Sequence, residues 1–186
     1  MKKYLLGALL IIGATSFGAV AVPVTSGSTG TATLPVKVVG RVLDSATTKI
    51  LVVTPMKNAG VNGGALEFDF GDLVEGQIQQ LEGTYKIEVM QNGSRVSLTT
   101  PPTATLEGGN QIGSDKKKVT VDIGTGNQTT TNDVALTYTL SNLAEQADKS
   151  YAGSLNVNAE VKSGAKAGTF VDRTVGIKVE VTGVTI

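Results

Sequence analysis

The chain has 186 residues, 16 of them basic and 16 acidic, and contains no cysteine, histidine or tryptophan. No disulfide can staple it, no imidazole can act as general base or neutral metal ligand, and no basic excess is available to hold nucleic-acid phosphates. What remains is enough chain for one domain that depends on burial and strand pairing for stability.

The chain opens with Lys2 and Lys3, an apolar run from Tyr4 to Ile12, and small residues ending Ala19-Val20-Ala21. A charged start, a short apolar centre and an A-x-A ending define an export signal over residues 1–21. Gly13, Thr15, Ser16 and Gly18 interrupt the alternative reading, an anchor across the membrane. Removing the leader takes two lysines and no acid, so the exported chain carries a slight acidic excess.

Next comes the small, polar stretch "TSGSTGTAT" (25–33), which reads as a flexible lead. "LPVKVVGRV" follows, with Val36, Val38, Gly40 and Val42 in one alternating row and Pro35 at its start, where a missing amide is tolerated. "KILVVT" (49–54) predicts a strand that is apolar on both faces. Leu66, Phe68 and Phe70 alternate with Glu67 and Asp69; Tyr85, Ile87 and Val89 alternate with Lys86 and Glu88. "QNGS" (91–94) is an Asn-Gly turn, and Val96 and Leu98 resume the alternation, which predicts a hairpin. Further period-two runs are Val119–Ile123, Val134–Leu140, Leu155–Val161 and Val175–Val181. "GTGNQTTTN" (124–132) reads as a surface loop. "NLAEQAD" (142–148) reads as a helical turn or two, with Asn142 and Glu145 as a capping box. Many short one-sided strands with turn signals between them argue an all-β, two-sheet sandwich.

Chemistry is scarce. Glu67, Asp69 and Asp72 suggest a carboxylate cluster, yet Glu67 and Asp69 are the solvent-facing alternates of a half-buried run. Lys116-Lys117-Lys118 reads as a solvated turn, and without histidine no Ser-His arrangement exists. The glycines at 60, 63, 64 and 71 lack the strand–loop–helix setting of a phosphate loop. The expectation is a protein that is not an enzyme and uses no cofactor or metal.

Three stretches carry a family resemblance: "VKVVGRV" (36–42), "YAGSLNV" (151–157) and "AGTFVDRTVGIKVEV" (167–181). In them the chain resembles the pilin subunits of bacterial chaperone–usher fimbriae. The resemblance implies an immunoglobulin-like β-sandwich that is incomplete, its last strand being supplied by a periplasmic chaperone in transit and by the next subunit in the fibre. On that pattern residues 22–42 are the N-terminal extension and 43–186 the pilin domain. Val36, Val38, Gly40 and Val42 form the donor strand, with Gly40 where the family places its glycine. Ile50, Val52, Val175, Ile177, Val179 and Val181 line the acceptor groove. The partners implied are further copies of the chain, joined head to tail, together with a periplasmic chaperone and an outer-membrane usher. The route implied is export through the periplasm to a surface fimbria. The chain departs from the family in lacking a cysteine pair and an aromatic residue next to last. The alternative is a self-complete immunoglobulin-like binding module that stays monomeric, with Val36–Val42 as its own first strand.

Overall fold

The computed structural model describes residues 20–24, 30–34, 49–57, 64–126 and 132–182. Leader residues 1–19, the predicted donor run Val36–Val42 and most of the 124–132 loop lie outside the described residues. Those described contain strands and turns and no helix.

Twelve strands follow in chain order: β1 Val20–Val24, β2 Gly30–Leu34, β3 Lys49–Lys57, β4 Ile78–Gln91, β5 Ser94–Arg95 and β6 Thr103–Glu107, then β7 Asn110–Ile112, β8 Lys118–Ile123, β9 Val134–Leu140, β10 Ala144–Glu145, β11 Tyr151–Val161 and β12 Gly176–Val181. They form two antiparallel sheets. The larger runs β1-β3-β4-β11-β9-β8-β7, with β5 on β4 and β10 on β11; the smaller runs β2-β12-β6. The buried rows of both sheets join in one hydrophobic cluster. The arrangement is all-β and consistent with a sandwich.

Alternation accounts for the rows. In β11, Leu155, Val157 and Ala159 are buried while Asn156 and Asn158 are less so; in β4, Tyr85, Ile87 and Val89 do the same. Only a period of two puts every second side chain on one face. The hairpin at 91–94 forms as predicted: Asn92 and Gly93 have φ of 49° and 74°, and Met90 pairs with Arg95. Positive φ at both central residues is what a two-residue hairpin turn needs, and Asn-Gly supplies it at least cost.

Several expectations are corrected. Leu66, Phe68 and Phe70 keep their alternating burial but form no strand beyond a single bridge at Leu66. Three exposed charges and Gly71 (φ 58°) bend this stretch away from any ladder. Residues 142–148 are not helical: Ala144 and Glu145 pair with Ala152 and Tyr151 around a tight turn in which Lys149 has φ 65°. The core demands a ladder partner for the start of β11, and this outweighs the weak helix signal. Val96 and Leu98 lie past the end of β5 and pack against the core from an irregular segment. The lead at 25–33 is not wholly loose, because Gly30–Leu34 is a strand. At the edge of the 124–132 loop, Thr125 is buried at 7% exposure and donates its hydroxyl to Asp133 at 3.0 Å.

Candidate functional site

The predicted site centres on β12. Its inward row is Ile177, Val179 and Val181, with exposures of 3%, 0% and 0%. Burying each such side chain is worth about 1.5–3 kcal/mol, so this row anchors the smaller sheet to the core. Its outward row carries Lys178, whose ammonium lies 2.9 Å from Glu180 and 3.9 Å from Glu107 on β6. The Glu180 carboxylate raises the Lys178 pKa. Both edges of β12 are paired: Gly176–Glu180 with Glu107–Thr103, and Ile177–Val181 with Leu34–Gly30.

The second pairing is the informative one. A segment from the first 34 residues completes the edge of a strand near the other end of the chain. Gly30, Ala32 and Leu34 stand in register with Val181, Val179 and Ile177. Sequence reasoning placed the pairing segment at Val36–Val42 and missed Gly30–Leu34, whose alternating row contains one large apolar residue. The available signal was the β-branched pair Thr31 and Thr33.

Of the other predicted groove residues, Val175 is half-buried against the core just before β12 begins. On β3 the two rows stand the other way round from the expectation. Leu51 and Val53 are fully buried, whereas Val52 is half-buried on the opposite face. Ile50 pairs with Met90 on one side and Pro23 on the other, near the start of β3. A run that is apolar at both parities does not declare its inward face. Thr54 and the exposed Met56, continuing the Ile50–Val52 row, were the clue.

Upstream of β12, Ala167–Val175 runs outside every strand. Gly108 abuts it: a Cβ there would lie 2.0 Å from the Thr174 carbonyl oxygen, and its φ is 84°. The Tyr138 hydroxyl donates to Asp172 at 2.5 Å, and Asp172 in turn accepts from the Thr174 amide (2.9 Å) and hydroxyl (2.7 Å), forming a local kink. Burial and the adjacent Asp172 carboxylate push the Tyr138 phenol well above its ordinary range. Beside this segment is a cleft of about 430 Å³, lined by Phe68, Phe70, Leu73 and Phe170 together with Asp72 and Lys166.

Among the described residues no three acidic side chains are grouped to hold a metal ion, and no helix is long and apolar enough to cross a membrane. No family model, curated protein or solved structure matches the chain.

Proposed function

We propose that the chain is a structural subunit of a surface fimbria, exported through the periplasm and polymerised by strand exchange. On this reading the fold is an immunoglobulin-like sandwich whose final strand position, beside β12, is filled by an N-terminal extension. In the fibre that extension comes from the neighbouring subunit; during export a chaperone fills the position and an usher receives the complex. The function is non-catalytic and needs no cofactor.

One observation carries the reading: β2 completes the edge of β12 in an antiparallel ladder five residues long. Main-chain bonds along an added strand give affinity, and the row opposite Ile177, Val179 and Val181 gives register. A five-residue strand tied to the body through one edge is easily exchanged, because the same contacts re-form in a second copy. A head-to-tail exchange of this kind does not close on itself, so it generates a filament.

The same ladder, lying within one chain, favours a second reading: a self-complete binding module that remains monomeric. Mature protein separates the two. A fibre subunit forms a ladder of denaturant-resistant oligomers as concentration rises, and deleting residues 22–42 abolishes it. A chain that stays monomeric at every concentration would make the binding module the better account.

A further inference from the structure

We infer that the cleft between segments 68–73 and 166–170 is a binding site for a small organic cation, an ammonium carrying apolar substituents. The inference uses no residue of β2 or β12 and stands apart from the strand-exchange reading.

Both walls of the cleft are fastened to the body of the fold. Val134 and Val161, paired where β9 meets β11, belong to its lining. On one side, the carboxylate of Asp133, a residue only 5% exposed, accepts from the Lys166 amide at 3.2 Å and from the Thr125 amide at 2.9 Å. The Gly126 amide donates to the Thr169 carbonyl at 2.7 Å. A Cβ at Gly168 would lie 3.0 Å from the Gly126 nitrogen, so this wall sits hard against the loop that carries it. On the other side, the Phe68 ring occupies space that Gly83 leaves open on the inward row of β4, since a Cβ there would lie 2.8 Å from the ring. The chain that continues from Leu73 is tied down by bonds between Gly76 and Val161 (2.9 Å) and between Val161 and Gln77 (3.1 Å). The Gly164 amide adds a bond to the Glu75 carboxylate at 3.0 Å. A cleft held in this way is formed before any ligand arrives, and its volume of about 430 Å³ suits a small molecule.

The lining sets the class of ligand. The chain has four phenylalanines; Phe17 lies in the leader, and the other three, Phe68, Phe70 and Phe170, all line this one cleft. Phenyl rings attract an ammonium placed over their faces, and more strongly where water is partly excluded. Asp69 and Asp72, both exposed, add two carboxylates to the lining against the single ammonium of Lys166, which leaves it net negative. The Asp69 carboxylate is oriented by the Gly71 amide, which donates to it at 2.9 Å. An anionic ligand would meet this charge unfavourably, and a neutral apolar one would fill the space without using it. A cation with apolar substituents draws on the rings and the carboxylates together, and that complementarity selects it over the other two.

The test titrates the whole exported chain, labelled for amide NMR, with choline and with the uncharged analogue in which carbon replaces the choline nitrogen. Choline is expected to give saturable shifts at Gly71 and at Gly168–Phe170, with a dissociation constant of about 1 mM or tighter. The uncharged analogue is expected to bind about three- to tenfold more weakly. Asp72→Asn, at an exposed position that leaves the fold intact, and Phe170→Leu, which keeps apolar bulk but removes the ring, are each expected to weaken choline about two- to fivefold. Asp72→Asn should leave the analogue's affinity unchanged. Equal affinity for choline and its analogue would overturn the inference by showing a pocket indifferent to charge. Shifts that do not saturate, that fall away from the cleft, or that neither substitution alters would overturn it as well. The strand-exchange reading stands or falls separately, on oligomer formation.

Discussion

Gly153 lies near the start of β11, in register with Tyr85 on β4. A Cβ there would come within 2.6 Å of the Tyr85 hydroxyl oxygen and 2.9 Å of Leu143. That hydroxyl is buried without a hydrogen-bond partner among the described residues. Gly153→Ala is therefore expected to destabilise the fold by roughly 1–3 kcal/mol through overpacking. Tyr85→Phe removes the unsatisfied oxygen and the closest clashing atom, leaving the ring carbon at 2.7 Å, and is expected to be neutral or stabilising by up to about 1–3 kcal/mol. A double-mutant cycle in urea checks this: with Tyr85→Phe in place, Gly153→Ala should cost somewhat less, because one of three close contacts is gone. Equal cost in both backgrounds would mean that the ring carbon and Leu143, not the hydroxyl, set the limit. Burial also raises the phenols of Tyr85 and Tyr138. The neutral form is the one the fold favours, so this contribution is intact at neutral pH and is lost as pH rises above the ordinary phenol value of about 10. Tyrosinate absorbance for these two rings should appear only together with unfolding. None of this was legible in the sequence, where Gly153 is one small residue inside an alternating run.

At the scale of elements, strands with a polar outer row were legible and segments held by side chains were not. β4, β8, β9 and β11 follow their alternation, and the Asn92-Gly93 turn follows its chemistry. The end of the β4–β5 hairpin is instead held by charges far apart in sequence. Lys86 lies 3.0 Å from Glu88 and 3.1 Å from Asp148, and Arg95 lies 3.2 Å from Asp148 and bonds Glu88 through its Nε at 2.9 Å. This network ties the hairpin to the turn between β10 and β11, and its long-range pairs are not announced by the local sequence. The Ser150 hydroxyl and amide, and then Lys86, hold the Asp148 carboxyl well below its usual range. A depressed carboxylate stabilises the fold above its unfolded value, near 3.9, and the contribution is lost as pH falls below that toward the folded value. Asp148→Asn is accordingly expected to lower the melting temperature at pH 7, with a deficit that shrinks once the pH drops below about 4. A deficit that is constant with pH would assign the role of Asp148 to its shape and hydrogen bonds rather than its charge.

Across the whole molecule, the sequence was sufficient to identify an all-β chain with two antiparallel sheets, because β-branched residues at period two have few other ways to be buried. Which segment meets which was not legible. Pairing between residues 30–34 and 177–181 depends on the shape left open by the rest of the fold, and the short row Gly30, Ala32, Leu34 announces it weakly. The inward parity of β3 was hidden for a related reason, since Ile50 to Val53 is apolar throughout. Replacing Ala32, which registers with the fully buried Val179, by Arg is expected to weaken the β2–β12 ladder and suppress oligomer formation at concentrations where the native chain assembles. Gel filtration of the two proteins side by side measures this.

On the fibre reading, β12 needs a strand from the N-terminal extension and accepts it from outside its own chain. The most direct test is the thermal melt of residues 43–186 with and without a free peptide spanning Gly30–Val42. With peptide at a hundred times its dissociation constant, binding to the folded state adds about 2.7 kcal/mol, a rise of roughly 5–10 °C for a domain of this size. The account predicts that rise, and predicts that the same peptide carrying Ala32→Arg does not produce it. A truncated chain that melts at the same temperature with and without the peptide would contradict the claim and leave the monomeric module in its place.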